Sequence, residues 1–139
     1  MKVLFDLNVL IDVACRWRRF PDAVTLYRQV LASPVDQDAW PGGGDTTLYD
    51  IIRQSLDEER TRAMLAQFGA ELTLPPLTAE VVATAQRRQM ADLEDACVAA
   101  SAFAAGCDVI ASRNVADCQA SPIVAQPPTV LLARLTQAR

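Results

Sequence analysis

The fold is decided by the stretch Val3-Leu4-Phe5-Asp6-Leu7-Asn8-Val9-Leu10-Ile11-Asp12 near the start of the chain. Its first three residues are apolar, and with Lys2 they predict a buried parallel strand over Lys2–Phe5. Asp6-Leu7-Asn8 interrupts the strand, and the apolar residues that follow predict a short helix over Val9–Cys15. A buried strand that leads directly into a helix is typical of a chain built around a parallel sheet.

The rest of the chain continues to alternate between helical and extended patterns. We expect helices capped by Asp22, by Asp45 or Thr46, by Thr78 and by Asp92, and further helices over Glu58–Phe68 and Thr129–Leu135, with Gly69 and Gly106 as C-terminal stops. Strands are expected over Glu71–Leu74, Asp108–Ala111 and Pro122–Ala125, with a weaker candidate within Val35–Trp40 that a turn at Pro41–Gly44 follows. This alternation predicts one α/β domain over residues 1–139, with a parallel sheet covered by helices on both faces.

Composition restricts the chemistry that the chain can perform. Of its 139 residues, 51% are hydrophobic and 22% are charged, the formal net charge is -4, and there is no histidine. The lack of histidine excludes Ser-His-Asp and Cys-His catalysis and imidazole ligation of zinc. Acid–base or metal chemistry therefore has to rest on carboxylates and hard cations.

The cellular compartment is suggested by the cysteines and by the apolar segments. Cys15, Cys97, Cys107 and Cys118 are scattered and form no CxxC pair, which favours small core residues in a reducing compartment. Asp6 interrupts the first apolar run, so no signal peptide is visible. No apolar stretch approaches the roughly 18 residues of a membrane span. We expect a cytoplasmic protein with no membrane partner.

Acidic residues follow two of the predicted strands and open one helix. Asp6 ends the first strand, and Asp117 lies in the loop after the Asp108–Ala111 strand. Asp92 and Asp95 share one face of the helix that precedes that strand. Ligands of an open parallel sheet bind at the carboxyl ends of its strands, so we expect these carboxylates to meet there. A divalent cation would relieve their repulsion and could activate water for attack on a phosphodiester.

Each acid also has a purely structural interpretation. Asp6 and Asp92 are well placed to cap helices, and Asp95 would complete a pair similar to a capping box. Asp117 could shape its loop. Glu94 falls on another helix face and is expected to be a solvated surface acid. The metal-site interpretation is favoured because the predicted topology brings the acids to one edge of one sheet.

Three segments resemble the sequence motifs of PIN domains. Residues 3–12 are similar to the family's L-D-T-N-V-L-L-D opening, Asp92-Leu93-Glu94-Asp95-Ala96 to its D-x-E-D-A segment, and Ile110-Ala111-Ser112-Arg113-Asn114-Val115-Ala116-Asp117-Cys118 to its I-V-T-R-N-x-x-D-F segment. The tail segments at 121–124 and 127–132 fit the family's usual ending, so the resemblance covers essentially the whole chain. It implies a three-layer α/β/α sandwich with a central parallel sheet.

The resemblance also implies an activity, a cofactor and partners. It points to the VapC-type toxins of bacterial toxin–antitoxin pairs, and so to a metal-dependent ribonuclease with an RNA substrate, a cognate antitoxin and a homodimeric assembly. Asp6 and Asp95 match two metal-binding acids of the family, and Asp117 is the carboxylate nearest to a third, whose position Asn114 occupies. We therefore expect Asp6, Asp95 and Asp117 to bind Mg²⁺ or Mn²⁺, with Asp92 and Asn114 supporting catalysis.

The family's remaining acid usually opens the helix after the second strand. This chain has Asp45-Thr46-Thr47 there, which resembles a PIN subgroup with two threonines at that place. Thr46 or Thr47 could hydrogen-bond a water on the metal, and Asp45 could replace the acid. Thr46, Thr47, Asn8 and Arg113 are our candidates for contacts with nucleic acid, with Arg113 expected to bind phosphate.

Arg16-Trp17-Arg18-Arg19 is a basic and aromatic segment just beyond the first helix. Arginine charge combined with an aromatic stacking surface is one way in which proteins bind single strands. In the alternative interpretation, Trp17 packs under a loop while the arginines are merely solvated.

Two other functions remain as alternatives. The substitution at Asn114 and the missing glutamate favour a PIN-like module that is weak or inactive in catalysis and binds RNA or an antitoxin without cutting. A receiver-like or nucleotide-binding domain would also carry acids at its strand ends, but no Gly-rich phosphate loop follows the first strand.

Overall fold

The computed structural model describes residues 1–41 and 44–138 of the chain. Within these ranges, four strands form one parallel sheet in the order β2-β1-β3-β4, and they are β1 (Lys2–Phe5), β2 (Gln37–Ala39), β3 (Val109–Ala111) and β4 (Ala125–Gln126). The helices are α1 (Leu7–Cys15), α2 (Pro21–Ala32), α3 (Asp45–Ile52), α4 (Glu58–Glu71), α5 (Ala79–Arg87), α6 (Leu93–Ala104) and α7 (Pro128–Gln137), and a 3₁₀ turn spans Val115–Cys118.

Strand β1 lies at the centre of the sheet, as its apolar sequence predicts. Val3, Leu4 and Phe5 are all completely buried. Successive side chains of a strand point to opposite faces, so Val3 and Phe5 pack on one face and Leu4 on the other. Both faces of the sheet are therefore covered.

Helices form the two outer layers. The face that carries Val3 and Phe5 packs against α1, α2, α3, α4 and α7, through side chains that include Leu10, Leu26, Leu48, Phe68 and Leu131. The face that carries Leu4 packs against Val98 and Ala102 of α6, and α5 in turn packs against α6. The α/β class and the three-layer sandwich with a parallel sheet are confirmed.

The predicted strand at Glu71–Leu74 is wrong. Helix α4 continues through Gly69, which was expected to end it, as far as Glu71. The chain beyond runs beside β2 and forms a backbone hydrogen bond from Trp40 N to the Thr73 carbonyl, 3.1 Å. Pro75 and Pro76 follow immediately and have no N–H to donate, so the pairing cannot extend into a ladder. The weaker candidate within 35–40 instead supplies β2.

Two of the predicted helix caps are also wrong. Helix α2 begins at Pro21, whose fixed φ suits the first helical position, so Asp22 lies inside the first turn. Helix α3 begins at Asp45, and Gly44 occupies the cap position without any side-chain hydrogen bond. The caps at Thr78 and Asp92 are confirmed, because each side chain accepts a hydrogen bond from the backbone N–H three residues ahead.

Smaller differences concern the ends of elements. The last strand is Ala125–Gln126 rather than 122–125, because Ser121 Oγ holds Ile123 in a turn through bonds to both its N–H and its carbonyl. Gly42 and Gly43, the centre of the turn expected at 41–44, lie outside the described residues. Among the residues that are described, no helix is both long and apolar enough to cross a lipid bilayer.

Candidate functional site

The connections of the sheet locate a crevice between β1 and β3. The chain leaves β1 for β2 on one side and later returns to β3 on the other, and ligands bind at such a switch point, beyond the carboxyl ends of the strands. Phe5 and Ala111 are register partners, so the next residues, Asp6 and Ser112, leave the sheet side by side. The backbone N of Asp6 also donates to the Ala111 carbonyl at 3.0 Å.

The Asp6 carboxylate is buried and held by three hydrogen bonds. Its Oδ1 accepts from the backbone N of Leu7 at 2.7 Å, which caps α1. Its Oδ2 accepts from Ser112 Oγ at 2.8 Å and from Asn8 Nδ2 at 3.0 Å. Burial raises the pKa of Asp6 above its ordinary value, while these hydrogen bonds and the charge of Arg113 oppose the rise. Its orientation is therefore fixed by residues of both neighbouring strand ends.

Ser112 connects most of the polar groups at this position. Its hydroxyl donates to Asp6 and accepts from Asn8 Nδ2 at 3.0 Å and from the backbone N of Asn114 at 3.1 Å. Ser112 was not among the site residues predicted from the sequence. The signal that could have found it is its position, directly after the strand that pairs with β1.

The first turn of α6 brings two further acids to the same edge of the sheet. Because α6 leads into β3, its N-terminus lies beside the carboxyl ends of the strands. Asp92 caps the helix through a bond from the backbone N of Asp95, 3.1 Å. Burial raises the pKa of Asp95 to about 6, and the charges of four other acids add to the rise, namely Asp92, Asp6, Asp117 and Glu94. Glu94 is exposed, as expected, yet it contributes to the charge of the site.

Asp117 completes this group from the 3₁₀ turn after β3. It is exposed, as is Asn114, which precedes the turn. Cys118 is buried beside these acids, and burial together with Asp6, Asp95 and Asp117 raises the pKa of its thiol to about 11. The three carboxylates predicted to bind metal therefore act electrostatically on the same neighbours, and Cys118 is a neutral thiol among them.

The donor set can be compared with what a divalent ion needs. Within residues 1–41 and 44–138, no group of three or more Asp, Glu or Cys side chains is arranged to hold a metal ion. Mg²⁺ is commonly bound by one or two carboxylates and keeps several waters. Asp6 and Asp95 supply hard oxygen donors of this kind, so the chemistry of the residues fits the ion.

Thr46 and Thr47 lie in the first turn of α3. Thr46 is exposed, and Thr47 is half-buried in a recess of about 290 Å³ that it shares with Leu7, Glu94 and Cys97. Leu7 directly follows Asp6, so the recess that contains Thr47 adjoins the residue after Asp6. Their contacts with nucleic acid remain predictions.

Arg113 has a strong partner within the protein. Its Nε and Nη2 donate to the two carboxylate oxygens of Asp12 at 2.6 and 3.2 Å, and its Cζ lies 4.2 Å from the centre of the Phe20 ring. Its backbone N donates to Asn8 Oδ1. The expected phosphate contact remains a prediction, because the guanidinium is already paired and would have to be shared.

Solved structures with the same fold are found at low sequence identity. VapBC2 from Rickettsia felis, bound to a DNA fragment from their promoter, contains a chain with a TM-score of 0.68 at 12% identity, over 91% of this chain and 98% of that one. VapBC-1 from nontypeable Haemophilus influenzae contains a chain with a TM-score of 0.69 at 16% identity, over 93% of this chain and 99% of that one. FitAB bound to an IR36 DNA fragment contains a chain with a TM-score of 0.68 at 17% identity, over 91% of this chain and 94% of that one.

No model of a known protein family matches the sequence, and no curated protein matches it significantly. The agreement with the solved structures nevertheless extends over nine-tenths of the chain. The assignment to the subgroup with two threonines remains a prediction. The fold predicted from the three sequence motifs is confirmed, and it is shared with chains of the VapBC and FitAB complexes.

Proposed function

We propose that the chain is an endoribonuclease that depends on Mg²⁺ or Mn²⁺ bound by Asp6, Asp95 and Asp117. The observation that carries the proposal is that the charges of Asp6 and Asp117 act on Asp95, from three separate segments, at the switch point of a parallel sheet. Keeping such a group ionised costs free energy without a cation, because each negative carboxylate disfavours the ionisation of its neighbours. A bound divalent ion would supply positive charge, an activated water and stabilisation of the charge that develops on a phosphodiester.

The chain's own residues would orient the reaction. Ser112 and Asn8 hold Oδ2 of Asp6, and the N-terminus of α1 holds Oδ1, so this carboxylate cannot turn freely. Asp92 fixes the first turn of α6 and with it the backbone of Asp95. In this proposal Asn114 would support the site from outside the three metal ligands, where its amide oxygen would hold a metal-bound water without adding charge.

Substrate and partner follow from the same proposal. RNA would be contacted by Asn8, Thr46, Thr47 and Arg113 around the carboxylates. The similar structures are VapBC and FitAB complexes, which supports a protein partner for this chain, a cognate antitoxin by the family resemblance. A homodimer and a cytoplasmic location belong to the same proposal.

Cleavage assays would test the activity directly. The purified chain should cut a single-stranded RNA in Mn²⁺ or Mg²⁺ and not in EDTA, and Asp6→Asn should abolish cutting. Asp50→Asn is the matched control, because Asp50 is an exposed acid of α3. Equal cleavage by the Asp6→Asn variant, prepared in the same way, would show that the carboxylate mechanism is wrong.

A module that binds without cutting is the second candidate. It is favoured by Asn114 in place of an acid and by the arrangement of the described acids, no three of which are placed to hold an ion. Calorimetric titration with Mn²⁺ separates the two candidates. The nuclease should bind the ion and lose that binding in Asp6→Asn, whereas the inactive module should bind it weakly or not at all.

A further inference from the structure

The loop Arg16–Arg19, here called the basic loop, joins α1 to α2 and faces solvent. All four of its side chains are exposed, and Trp17 exposes 52% of its surface. Trp17 is therefore not packed under a loop, which was one of the two interpretations of its sequence. Such an exposed indole is unusual, because burial of an aromatic ring is among the largest contributions to the free energy of folding.

The arginines of the basic loop form no close ion pair within the described residues, although the charges of Arg16 and Arg19 act on Asp12. Arg60, Arg62 and Arg113 each form an ion pair, but Arg16, Arg18 and Arg19 form none with any carboxylate of residues 1–41 and 44–138. The carboxylate of the nearby Asp12 accepts its hydrogen bonds from Arg113. A chain of net charge -4 thus concentrates three unpaired positive charges in four residues.

Arginine and aromatic groups already stack within the loop. The Arg18 guanidinium lies 4.9 Å from the centre of the Trp17 ring. Residues 15–19 surround an open recess of about 460 Å³. A planar, electron-rich ring next to a guanidinium plane is the surface on which nucleic-acid bases stack.

Phe20 links the basic loop to the candidate active site. Its ring carries the Arg19 guanidinium at 5.2 Å on the loop side and that of Arg113 at 4.2 Å. Arg113 directly follows Ser112, whose hydroxyl holds Asp6. The basic loop is therefore in contact, through Phe20, with the residue that follows Ser112.

We propose that the basic loop binds single-stranded RNA, with one base stacked on Trp17 and with backbone phosphates paired to Arg16, Arg18 and Arg19. The choice of RNA rests on the proposed function. The loop would hold the strand beside the carboxylates and so give a preference for unpaired substrate, because a base can stack on Trp17 only when it is free of its own duplex. An acidic protein segment would use the arginines but would not need the indole.

Binding can be measured without any cleavage, with a labelled 2′-O-methyl oligonucleotide in EDTA. Trp17→Ala should weaken binding by roughly 5- to 150-fold, the range for loss of one stacked base, and Trp17→Phe should restore most of it. Binding should also quench part of the tryptophan emission of the wild type. The quenched part should be that of Trp17, because Trp40 is only 3% exposed.

Replacing the three arginines tests the charge component. In Arg16→Gln/Arg18→Gln/Arg19→Gln, the slope of log affinity against log salt should fall by about 2, as expected for three lost phosphate contacts on a single strand. Arg53→Gln/Arg60→Gln/Arg62→Gln removes the same charge from exposed positions on and beside α3 and α4, and should leave the slope unchanged.

Three results would overturn the inference: wild-type affinity in Trp17→Ala, an equal effect of both triple variants, or equal competition by a poly-glutamate peptide. Failure of the proposed nuclease activity would look different. A chain that binds the oligonucleotide through Trp17 yet never cuts RNA in Mn²⁺ would refute the activity and retain the binding surface.

Discussion

The Arg113 guanidinium donates hydrogen bonds to both carboxylate oxygens of Asp12, a residue 101 positions earlier whose side chain is completely buried. Arg113 itself is 30% exposed and lies on the ring of Phe20. Burial raises the pKa of Asp12, and the hydrogen bonds and charge of Arg113 oppose that rise. The pair fastens the loop after β3 to α1, immediately beyond the Ser112–Asp6 hydrogen bond, and so keeps two walls of the candidate site together.

Arg113→Met should lower the free energy of unfolding by about 3 kcal/mol at pH 7, because it leaves the buried Asp12 carboxylate without a partner. Urea denaturation would measure the loss. The pKa of Asp12 should rise further in the variant, so the loss should shrink at acidic pH, where the protonated carboxyl needs no counter-charge. Arg62→Met is the matched control, because both members of its pair with Glu58 are more than half exposed, and it should cost less than about 1 kcal/mol. Equal losses would contradict this account.

The pKa of Asp95 predicts a stability change that depends on pH. Protonated Asp95 contributes stability that is fully present below its ordinary value of 3.8 and is lost as the pH rises through about 6. In EDTA, Asp95→Asn should therefore raise the melting temperature above pH 7 and leave it unchanged near pH 4. Asp50→Asn should show no such dependence. A variant that melts below the wild type at pH 8 without metal would contradict the prediction.

Ser112→Ala should raise the pKa of Asp6, because the Ser112 hydroxyl is the strongest of the interactions that lower it. The loss of a hydrogen bond to a buried carboxylate should also cost about 2 kcal/mol of stability at pH 7. Carbon NMR of the Asp6 carboxyl group would follow the titration. Ser101→Ala is a close control, since Ser101 is equally buried but its hydroxyl has no hydrogen-bond partner within the described residues. That variant should be neutral, and a similar cost in both would show that the Ser112 bond is not the cause.

Local patterns predicted the parts of the fold that local forces decide. The buried run at 3–5 sets β1, and the caps at Asp92 and Thr78 depend only on residues three positions ahead. The pattern at 71–74 has the composition of a strand, but whether it joins a sheet depends on a distant neighbour and on the two prolines that follow. Glycine commonly ends a helix, but α4 continues past Gly69 because Phe68 and Leu72 on either side of it pack into the core.

The candidate site divides in the same way. The carboxylates were predicted because Asp6 and Asp117 follow strands and Asp92 and Asp95 open a helix, and a parallel sheet brings such positions together. The bonds that orient them were missed, because Asp6–Ser112 and Asp12–Arg113 join residues more than 100 positions apart, which no short-range pattern encodes. All four residues nevertheless lie within the segments that resemble PIN-domain motifs, so the resemblance covered residues that periodicity alone does not identify.

The two described glycines outside the site should respond in opposite directions to the same substitution. Gly106 follows the end of α6 with φ at +67°, and the helix is closed by bonds from Gly106 N to the Phe103 carbonyl and from Cys107 N to that of Ala102. Gly106→Ala should therefore cost about 1 kcal/mol, because a Cβ strains this conformation. Gly69 lies inside α4, and an added Cβ would meet nothing within 4 Å. Gly69→Ala should gain about 0.5–1 kcal/mol, since alanine is the better helix former and restricts the unfolded chain. Paired urea denaturation curves would measure both changes, and a loss in Gly69→Ala would show that α4 does not continue through this position in solution.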